Sequence, residues 1–362
     1  MSIIDRYIFK QFVPPFIFGV LIFTFSITIN RILLLTQMVL NKGVSITAVL
    51  KLAGLTMPDF MIITLPISFL LAVLTVFGKM TQDNEIMALK VSGVSILKLT
   101  KPTLLFALVP LAISILFSFY MAPRFNFFFR VLAVKEFKKA ALSALKRNAF
   151  TDKFGKLKIF VKDVNKDKSV LKGIFILNKV RNRPETLIAK SGTIVYNQKQ
   201  NVLYFYLKNG TIQNQDPNSK NFWVLHFNTY KINIKLKGLS LPDKNGSVHF
   251  MTFLKLARRY LSEKSGKKKN LYLIYLYKKI AIPVAAILFV FIGMPLGMFL
   301  EKRSLFLAIS YTIIIVVAYY ILFTSGFYLS LNNQINPVIG VWGADWFLFV
   351  SGAILYLKAL LK

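Results

Sequence analysis

Residues 54–77 read GLTMPDFMIITLPISFLLAVLTVF, a mostly apolar run in which Asp59 is the single charged residue. A helix crosses the hydrocarbon core of a bilayer with roughly 20 such residues, so this run predicts a membrane span. Five more runs of this kind cover residues 12–35, 102–122, 280–300, 305–328 and 337–357. The six form two groups of three around a polar insert of about 150 residues, which has the size of a domain. The sequence therefore predicts an integral membrane protein with one inserted soluble domain.

The composition agrees with this class, because 55% of the residues are hydrophobic and the mean hydropathy is +0.57. A formal net charge of +33 can indicate a nucleic-acid-binding protein. Here most basic residues lie in the insert or at the ends of apolar runs, where anionic lipid is the nearest polyanion. No nucleic-acid partner is expected. A lysine-biased composition, in which many lysines are only solvated surface, is the alternative explanation of the excess.

Few residues offer catalytic or metal-binding chemistry. The chain has no cysteine, so disulfides, thiol catalysis and cysteine-ligated metals are excluded. His226 and His249 lie in strand-like sequence without a second ligand nearby, and we expect both to be structural. Phosphate-loop, nucleophile-elbow, zinc-protease and dinucleotide-binding motifs are all missing from the sequence. We therefore expect no enzyme, cofactor or metal site, and energy for any active transport would come from a partner or an ion gradient.

Charge at the ends of the runs predicts the orientation. One side collects Arg6, Lys10, Lys79, Lys90, Lys98, Lys101, Lys302, Arg303, Lys358 and Lys362. The loop at 329–336 on the other side has no Lys or Arg, although Lys42 falls on that side. By the positive-inside rule both termini are cytoplasmic and the insert is periplasmic. The first run is too long for a signal-peptide core and lacks a cleavage site, so we expect it to be retained.

The insert has the pattern of a β domain. Short alternating runs cover residues 157–161, 173–177, 193–196, 202–207 and 230–236. Turn signals at Asn209-Gly210, Asp216-Pro217-Asn218 and Asn245-Gly246 separate some of them. This predicts an antiparallel, jelly-roll-like all-β domain, followed by a helix at 252–260. We assign residues 1–122 to the first three spans, 123–270 to the β domain and 271–362 to the last three spans.

The loop at 78–101, between the second and third spans, predicts a short amphipathic helix. It begins near Thr81 or Asp83 and ends at Gly93, which suits the residue after a helix end. Ile86, Leu89 and Lys90 share a face with Asp83, which gives a partner an acidic and apolar ridge. The alternative is a helix lying on lipid. The central Glu85 is unfavourable against an anionic leaflet, so we favour a protein partner.

A set of short motifs, in order along the whole chain, resembles the lipopolysaccharide export permeases of the LptF/LptG (YjgP/YjgQ) type. They are Ile4-Asp5-Arg6-Tyr7-Ile8, Pro58 with Pro66, Glu85-Ile86-Met87-Ala88-Leu89 with Ser92-Gly93, Pro102, Ala189-Lys190-Ser191-Gly192-Thr193-Ile194, Lys279-Ile280-Ala281-Ile282-Pro283, and Asn336-Pro337 with Trp342. Each motif is weak by itself, but the ordered set within a three-plus-three layout is specific.

The resemblance implies a permease subunit of an ABC exporter in the bacterial inner membrane, with ATP hydrolysis in a separate subunit. Its expected partners are an LptB-like cytoplasmic ATPase, a paralogous permease, an LptC-like single-span protein, a periplasmic bridge and lipopolysaccharide itself. The family's loop helix docks into the ATPase through its Glu. We carry that role to Glu85, with Asp83, Ile86 and Leu89 as further docking candidates.

Basic residues at the periplasmic ends of the spans are the candidate ligands for lipid phosphates. Arg31 ends the first span, and Arg124 and Arg130 follow the third. The resemblance implies that cations in these regions meet the phosphates of lipopolysaccharide. The alternative for each is an anchor that only fixes helix depth.

Three questions stay open at this stage. The sixth span begins Trp342-Gly343-Ala344-Asp345, where the family often has Trp-x-Pro-Asn, so no local role is assigned there. The sequence favours neither LptF nor LptG. The rival functions are a secondary transporter or channel, which predicts ionisable groups deep in the spans, and a membrane scaffold without transport. The span interiors show almost no such groups apart from Asp59 near a boundary.

Overall fold

The structure is a computed structural model that describes residues 3–42, 45–144, 149–154, 157–165, 170–180, 183–197, 202–215, 222–235, 247–299 and 305–361. Helices occupy both ends of the described chain, and strands occupy the middle. The helices are α1 (Ile3–Lys42), α2 (Ile46–Gln82), α3 (Glu85–Val91), α4 (Ile96–Leu116), α5 (Ala122–Ala144), α6 (Phe253–Ser262), α7 (Gly266–Met298), α8 (Leu305–Leu331) and α9 (Pro337–Leu361). A π-helical turn at Phe117–Met121 joins α4 to α5.

Six helical segments of the described chain are long and apolar enough to cross a membrane. They are Ile3–Leu33, Ile46–Gln82, Ile96–Glu136, Gly266–Met298, Leu305–Leu331 and Pro337–Leu361. The six predicted spans and their three-plus-three layout are therefore confirmed. Several helices extend well beyond the apolar runs, because helical hydrogen bonding continues into polar sequence whereas apolar composition marks only the part suited to lipid.

Most of the length of the spanning helices lies in one compact unit, made of Met1–Asn30, Leu55–Asn126 and Lys244–Lys362. In the most apolar windows of α2 and α7, 72% and 67% of the residues are buried, against 17% in α1 and in α8. The central position of α2 and α7 explains this difference. α7 packs against α4, α8 and α9, and one core cluster joins α7 to α1, α2 and α3. The outward faces of α1 and α8 are apolar, as expected for contact with lipid or another apolar surface.

The middle of the chain confirms the inserted all-β domain. Its described strands are β1 (Ala149–Phe154), β2 (Leu157–Asn165), β3 (Val170–Val180), β4 (Arg183–Asn197), β5 (Val202–Gln215) and β6 (Phe222–Lys235). They form one antiparallel sheet in chain order, so these strands make a meander. Each neighbouring pair of described strands in this sheet is consecutive in the chain. The jelly-roll-like arrangement of the domain stays a prediction.

Side chains alternate across the sheet as the sequence pattern requires. Ile159 and Val161 on β2 are buried, whereas Lys158 and Lys162, which flank this pair, are exposed. All five predicted runs fall on strands, apart from Leu236, which lies outside the described residues. The first strand, β1, escaped prediction because its sequence, AFTDKF, does not alternate regularly.

One predicted turn is wrong. Asn209 and Gly210 lie inside β5, and the register is the same on both sides of them. Asn209 has a φ of 52°, the left-handed conformation that its side chain tolerates, and this explains the misleading turn signal. The other two signals, at 216–218 and 245–246, lie outside the described residues. The predicted helix at 252–260 is confirmed as α6.

The second compact unit consists of Arg31–Gly54 and Phe127–Asp243. Besides the sheet it contains the end of α1, the start of α2 and most of α5. There Ala48, Val49, Leu52, Ala53 and Ala133 are buried and pack with Ile32, Phe129 and Leu132. This grouping is by contact in space and differs from the domain limits expected at residues 122 and 270. Those limits remain our proposal for dividing the chain along its sequence.

Candidate functional site

Helix α3 is the predicted loop helix, and local hydrogen bonds define both of its ends. α2 ends at Gln82, and Asn84, with a φ of 58°, turns the chain before α3 begins at Glu85. Thr81 therefore belongs to α2. At the other end the Val94 N–H donates to the Leu89 carbonyl and the Gly93 N–H to the Lys90 carbonyl, which is the Schellman arrangement. Gly93 has a φ of 80°, as predicted for the residue after the helix end.

The apolar residues of the predicted ridge on α3 are not exposed in the structure. Ile86 is only 7% exposed and lies in the core cluster with Ile8 and Phe77, and Leu89 packs against that cluster. The apolar side chains that α3 exposes are instead Met87 and Val91, at 64% and 83%. Ile86 and Leu89 thus hold the helix on the bundle, because only a buried face can offset the cost of ordering so short a helix.

Glu85 is held by the N-terminal helix. The Tyr7 hydroxyl of α1 donates a hydrogen bond of 2.8 Å to Glu85 Oε1. Next to Tyr7, Ile8 is fully buried, so the backbone that presents the hydroxyl is fixed by packing. Asp83, in the turn before α3, is exposed. The Glu85 carboxylate and exposed Met87 thus lie together on α3, and the Tyr7 hydroxyl of α1 restrains the carboxylate.

The three candidate phosphate-binding arginines fall in different units. In the second unit, Arg31 Cζ lies 5.5 Å from the centre of the Phe129 ring, a cation–π distance. Arg130 follows Phe129 on α5 and is half-buried. Arg124 belongs to the first unit and is exposed. The structure therefore brings Arg31 to the segment of α5 that carries Arg130.

Sequence reading overlooked a polar cluster near one end of the spanning helices. Asn126 Nδ2 donates to Asp59 Oδ1 at 3.0 Å, and Lys279 Nζ donates to the Ser118 carbonyl at 2.8 Å. These four residues line one cavity together with Lys278. The signal in the sequence was a pair of lysines directly before the fourth apolar run, which resembles an ordinary membrane-boundary anchor.

A second overlooked group lies between α8 and α9. Asp345 is 3% exposed, and Tyr319 donates a hydrogen bond of 3.1 Å to its Oδ1. Asp345 Oδ2 is buried and has no hydrogen-bond partner within the described ranges. The expectation that the spans hold almost no ionisable group is thus corrected by Asp345. The two residues lie 26 positions apart on different helices, so sequence alone does not reveal their pairing.

The two histidines have different environments. His226 is exposed on β6, as expected for a strand. His249 lies in a short 3₁₀ turn, Val248–Phe250, and not in a strand, and its Nε2 is 3.1 Å from the Tyr275 hydroxyl. Within the described ranges, His, Asp and Glu side chains form no group that could hold a metal ion.

Comparison with known proteins agrees with this architecture of six spans, an inserted sheet and a short loop helix. The family described as "Lipopolysaccharide export system permease LptF/LptG" matches residues 6–358. The chain therefore belongs to the LptF/LptG permease family. The chain is also 27% identical, over 242 residues, to uncharacterized protein RP871 of Rickettsia prowazekii (strain Madrid E). That match covers 65% of this chain and 64% of the relative, so the chain spans just under two thirds of the relative's length.

Proposed function

We propose that this chain is one permease subunit of an ABC-type lipopolysaccharide exporter in the bacterial inner membrane. It would extract lipopolysaccharide from the membrane and pass it to a periplasmic bridge. The single observation that carries the proposal is the family match over residues 6–358, nearly the whole chain. The partners would be a paralogous permease, an LptB-like ATPase and an LptC-like single-span protein, and ATP would be hydrolysed in the ATPase alone.

In this proposal α3 is the docking element for the ATPase. Glu85, with Asp83 beside it, supplies the acidic contact, and exposed Met87 supplies an apolar one. Ile86 and Leu89 act from the opposite face. Because Ile86 lies in the core cluster that also contains parts of α1 and α2, a displacement of α3 would be transmitted to the spanning helices through packed side chains.

The same proposal gives the other predicted residues a role at the lipid. Arg31, Arg124 and Arg130 would meet lipid phosphates, for which guanidinium groups supply paired hydrogen bonds. Their proposed location is the periplasmic end of the spans, with the β domain in the periplasm and both termini in the cytoplasm.

The test is co-purification of the tagged chain with its ATPase, comparing wild type with Glu85→Ala. Loss of a charged contact in an interface typically costs about 2–5 kcal/mol, so the ATPase should be strongly depleted from the Glu85→Ala sample. Tyr7→Phe removes only the restraining hydrogen bond, worth about 0.5–1.5 kcal/mol, and should give a smaller loss. Lipid-stimulated ATP hydrolysis should fall in the same order.

Glu263→Ala is the matched control, since it removes a carboxylate from the loop between α6 and α7, away from α3 along the chain. It should retain the ATPase. If an ATPase co-purifies equally with Glu85→Ala and wild type, α3 does not dock through Glu85. If none co-purifies with wild type in the presence of the paralogous permease, the exporter proposal fails.

A further inference from the structure

A cluster of polar side chains lies at the same level on three spanning helices. On α2, Asp59 is followed by 18 mostly apolar residues, 60–77, which extend about 27 Å as a helix. On α7, Lys278 and Lys279 directly precede an apolar run of similar length that ends at Met298. The hydrocarbon core is about 30 Å thick, so both sets of polar side chains fall at its edge, where lipid head groups lie.

A reciprocal pair of hydrogen bonds fixes one of the lysines. Lys279 Nζ donates to the Ser118 backbone carbonyl at 2.8 Å, and Ser118 Oγ donates to the Lys279 carbonyl at 2.9 Å. Ser118 lies in the π-helical turn that interrupts the third span. Such turns occur often at functional sites. Because an ammonium has three N–H donors, Lys279 retains two after this bond.

The second lysine is positioned by an aromatic ring. Lys278 Nζ lies 4.6 Å from the centre of the Phe327 ring of α8, a cation–π contact. Asp59 Oδ1 accepts a hydrogen bond from Asn126 Nδ2. Asp59 attracts both lysines electrostatically, and among the described residues that line the cavity it is the one carboxylate. Two cations therefore face one cavity that contains a single carboxylate, which leaves an excess of positive charge.

The cavity between these groups has a volume of about 280 Å³. That is several times the ~30 Å³ that one water occupies in the liquid, so the space admits a small anionic group. With two lysines and one aspartate, the ionisable Lys and Asp side chains of its lining sum to a charge of +1. Asp59 and Asn126 line the same cavity, and their side-chain oxygens can accept hydrogen bonds. They therefore suit a ligand that carries hydroxyl or amine donors beside its anionic group.

We infer that this cavity binds the phosphate of a membrane-lipid head group, with Lys278 and Lys279 as the donors. The phosphate oxygens accept charge-assisted hydrogen bonds from both ammonium groups. The location at the edge of the hydrocarbon core favours a lipid phosphate over free phosphate. The site uses none of Arg31, Arg124 or Arg130. It also needs no ATPase, so binding can be tested on this chain by itself and can fail independently of the exporter proposal.

The test is native mass spectrometry of the full-length chain in detergent, titrated with phosphatidylglycerol and, separately, with the uncharged lipid diacylglycerol. Wild type should bind phosphatidylglycerol in preference to diacylglycerol. Lys278→Gln should weaken phosphatidylglycerol binding about tenfold, which is 1.4 kcal/mol at 25 °C. Lys278→Arg keeps the charge and the ring contact and should bind like wild type. Lys269→Gln, on the exposed start of the same helix, is the matched control and should also bind like wild type.

Competition with inorganic phosphate identifies the source of the phosphate. If millimolar phosphate displaces phosphatidylglycerol from wild type, the cavity takes the phosphate group alone; if it does not, the lipid as a whole is the ligand. Either result supports the site when Lys278→Gln is impaired. Equal binding by wild type and a folded Lys278→Gln variant would overturn the inference.

A second measurement uses only the wild-type chain, so its result does not depend on whether a variant folds. A phosphatidylglycerol analogue with a photoreactive group in its head should crosslink to residues that line the cavity, in the peptides that contain Asn126 or Tyr275. Crosslinks confined to other helices would contradict the proposed location.

Discussion

At the scale of single residues, the carboxyl of Asp345 is buried at a cost in free energy. It is buried between two spanning helices and receives a hydrogen bond from Tyr319 at one of its two oxygens. An unsatisfied polar atom in such a place costs free energy, and a charged one costs more. An amide at this position would avoid the cost of burying a charge.

Substitution at either residue tests this description. Tyr319→Phe removes the donor and leaves the carboxyl without its partner, so we expect a loss of about 1–3 kcal/mol in stability. Asp345→Asn keeps an acceptor for Tyr319 and should be neutral or stabilising. The measurement is the thermal unfolding midpoint of the purified chain in detergent. Tyr311→Phe, at an exposed tyrosine of the same helix, is the control and should leave the midpoint unchanged. A lower midpoint for Asp345→Asn than for Tyr319→Phe would refute this account.

Residues of the candidate docking site show what a sequence can reveal at this scale. Glu85 and Gly93 were visible because their roles depend on local spacing within one short helix. Tyr7 was quoted only as part of a motif. Its bond to Glu85 joins positions 78 apart, and nothing in the local pattern of either segment specifies that contact.

At the scale of elements, α8 and α9 come into close backbone contact at Gly326 and Gly340. A Cβ on Gly340 would lie within 3.0 Å of Ser330 Oγ, the Gly326 carbonyl and Ile335. A Cβ on Gly326 would likewise meet the backbone of Gly340. Small residues allow spanning helices to pack at short distance, where dispersion and not the hydrophobic effect holds them together.

Gly340→Ala should therefore destabilise the pair by about 1–3 kcal/mol or more, since neither backbone can move away freely. Gly343→Ala, one turn further along α9, has nothing within 4 Å of the added methyl and is the matched control. Alanine is the better helix former, so this control should be neutral or gain up to about 1 kcal/mol. Both are read from thermal midpoints in detergent. Equal midpoints for the two variants would show that the close approach is absent in the protein.

For α3, the sequence pattern predicts some features and tertiary packing determines others. Its existence and its C-terminal end followed from residues 81–93 alone. Its orientation did not, because Ile86 and Met87 are both apolar and only the position of the core decides which one is buried. The predicted docking ridge consequently included Ile86, whereas the exposed apolar side chains are Met87 and Val91.

At the scale of the whole molecule, the chain is six spans with one sheet inserted between the third and fourth. Its excess of positive charge around the short loops predicts cytoplasmic termini. The lack of cysteine makes this orientation easy to test, because each introduced thiol is then the single reactive one. Two exposed positions are suitable, Met87 on α3 and Lys208 on β5.

We expect Lys208→Cys to react with a membrane-impermeant maleimide in intact spheroplasts, since β5 would lie in the periplasm. Met87→Cys should react after the membrane is permeabilised and not before. The unsubstituted chain should stay unlabelled in both conditions and controls for the background. Labelling in the opposite order would invert the proposed topology and with it the proposed place of the ATPase.

The sequence by itself determined the number of spans, their three-plus-three grouping, the inserted β domain and the position of α3. These features depend on composition and on periodicities of a few residues, which each segment carries independently of the rest. The tertiary structure alone decided that Tyr7 meets Glu85, that Tyr319 meets Asp345, and that Lys278 and Lys279 share a cavity with Asp59. Those contacts join helices distant in sequence, and they depend on how whole helices rotate and pack, which the local pattern of no single segment specifies.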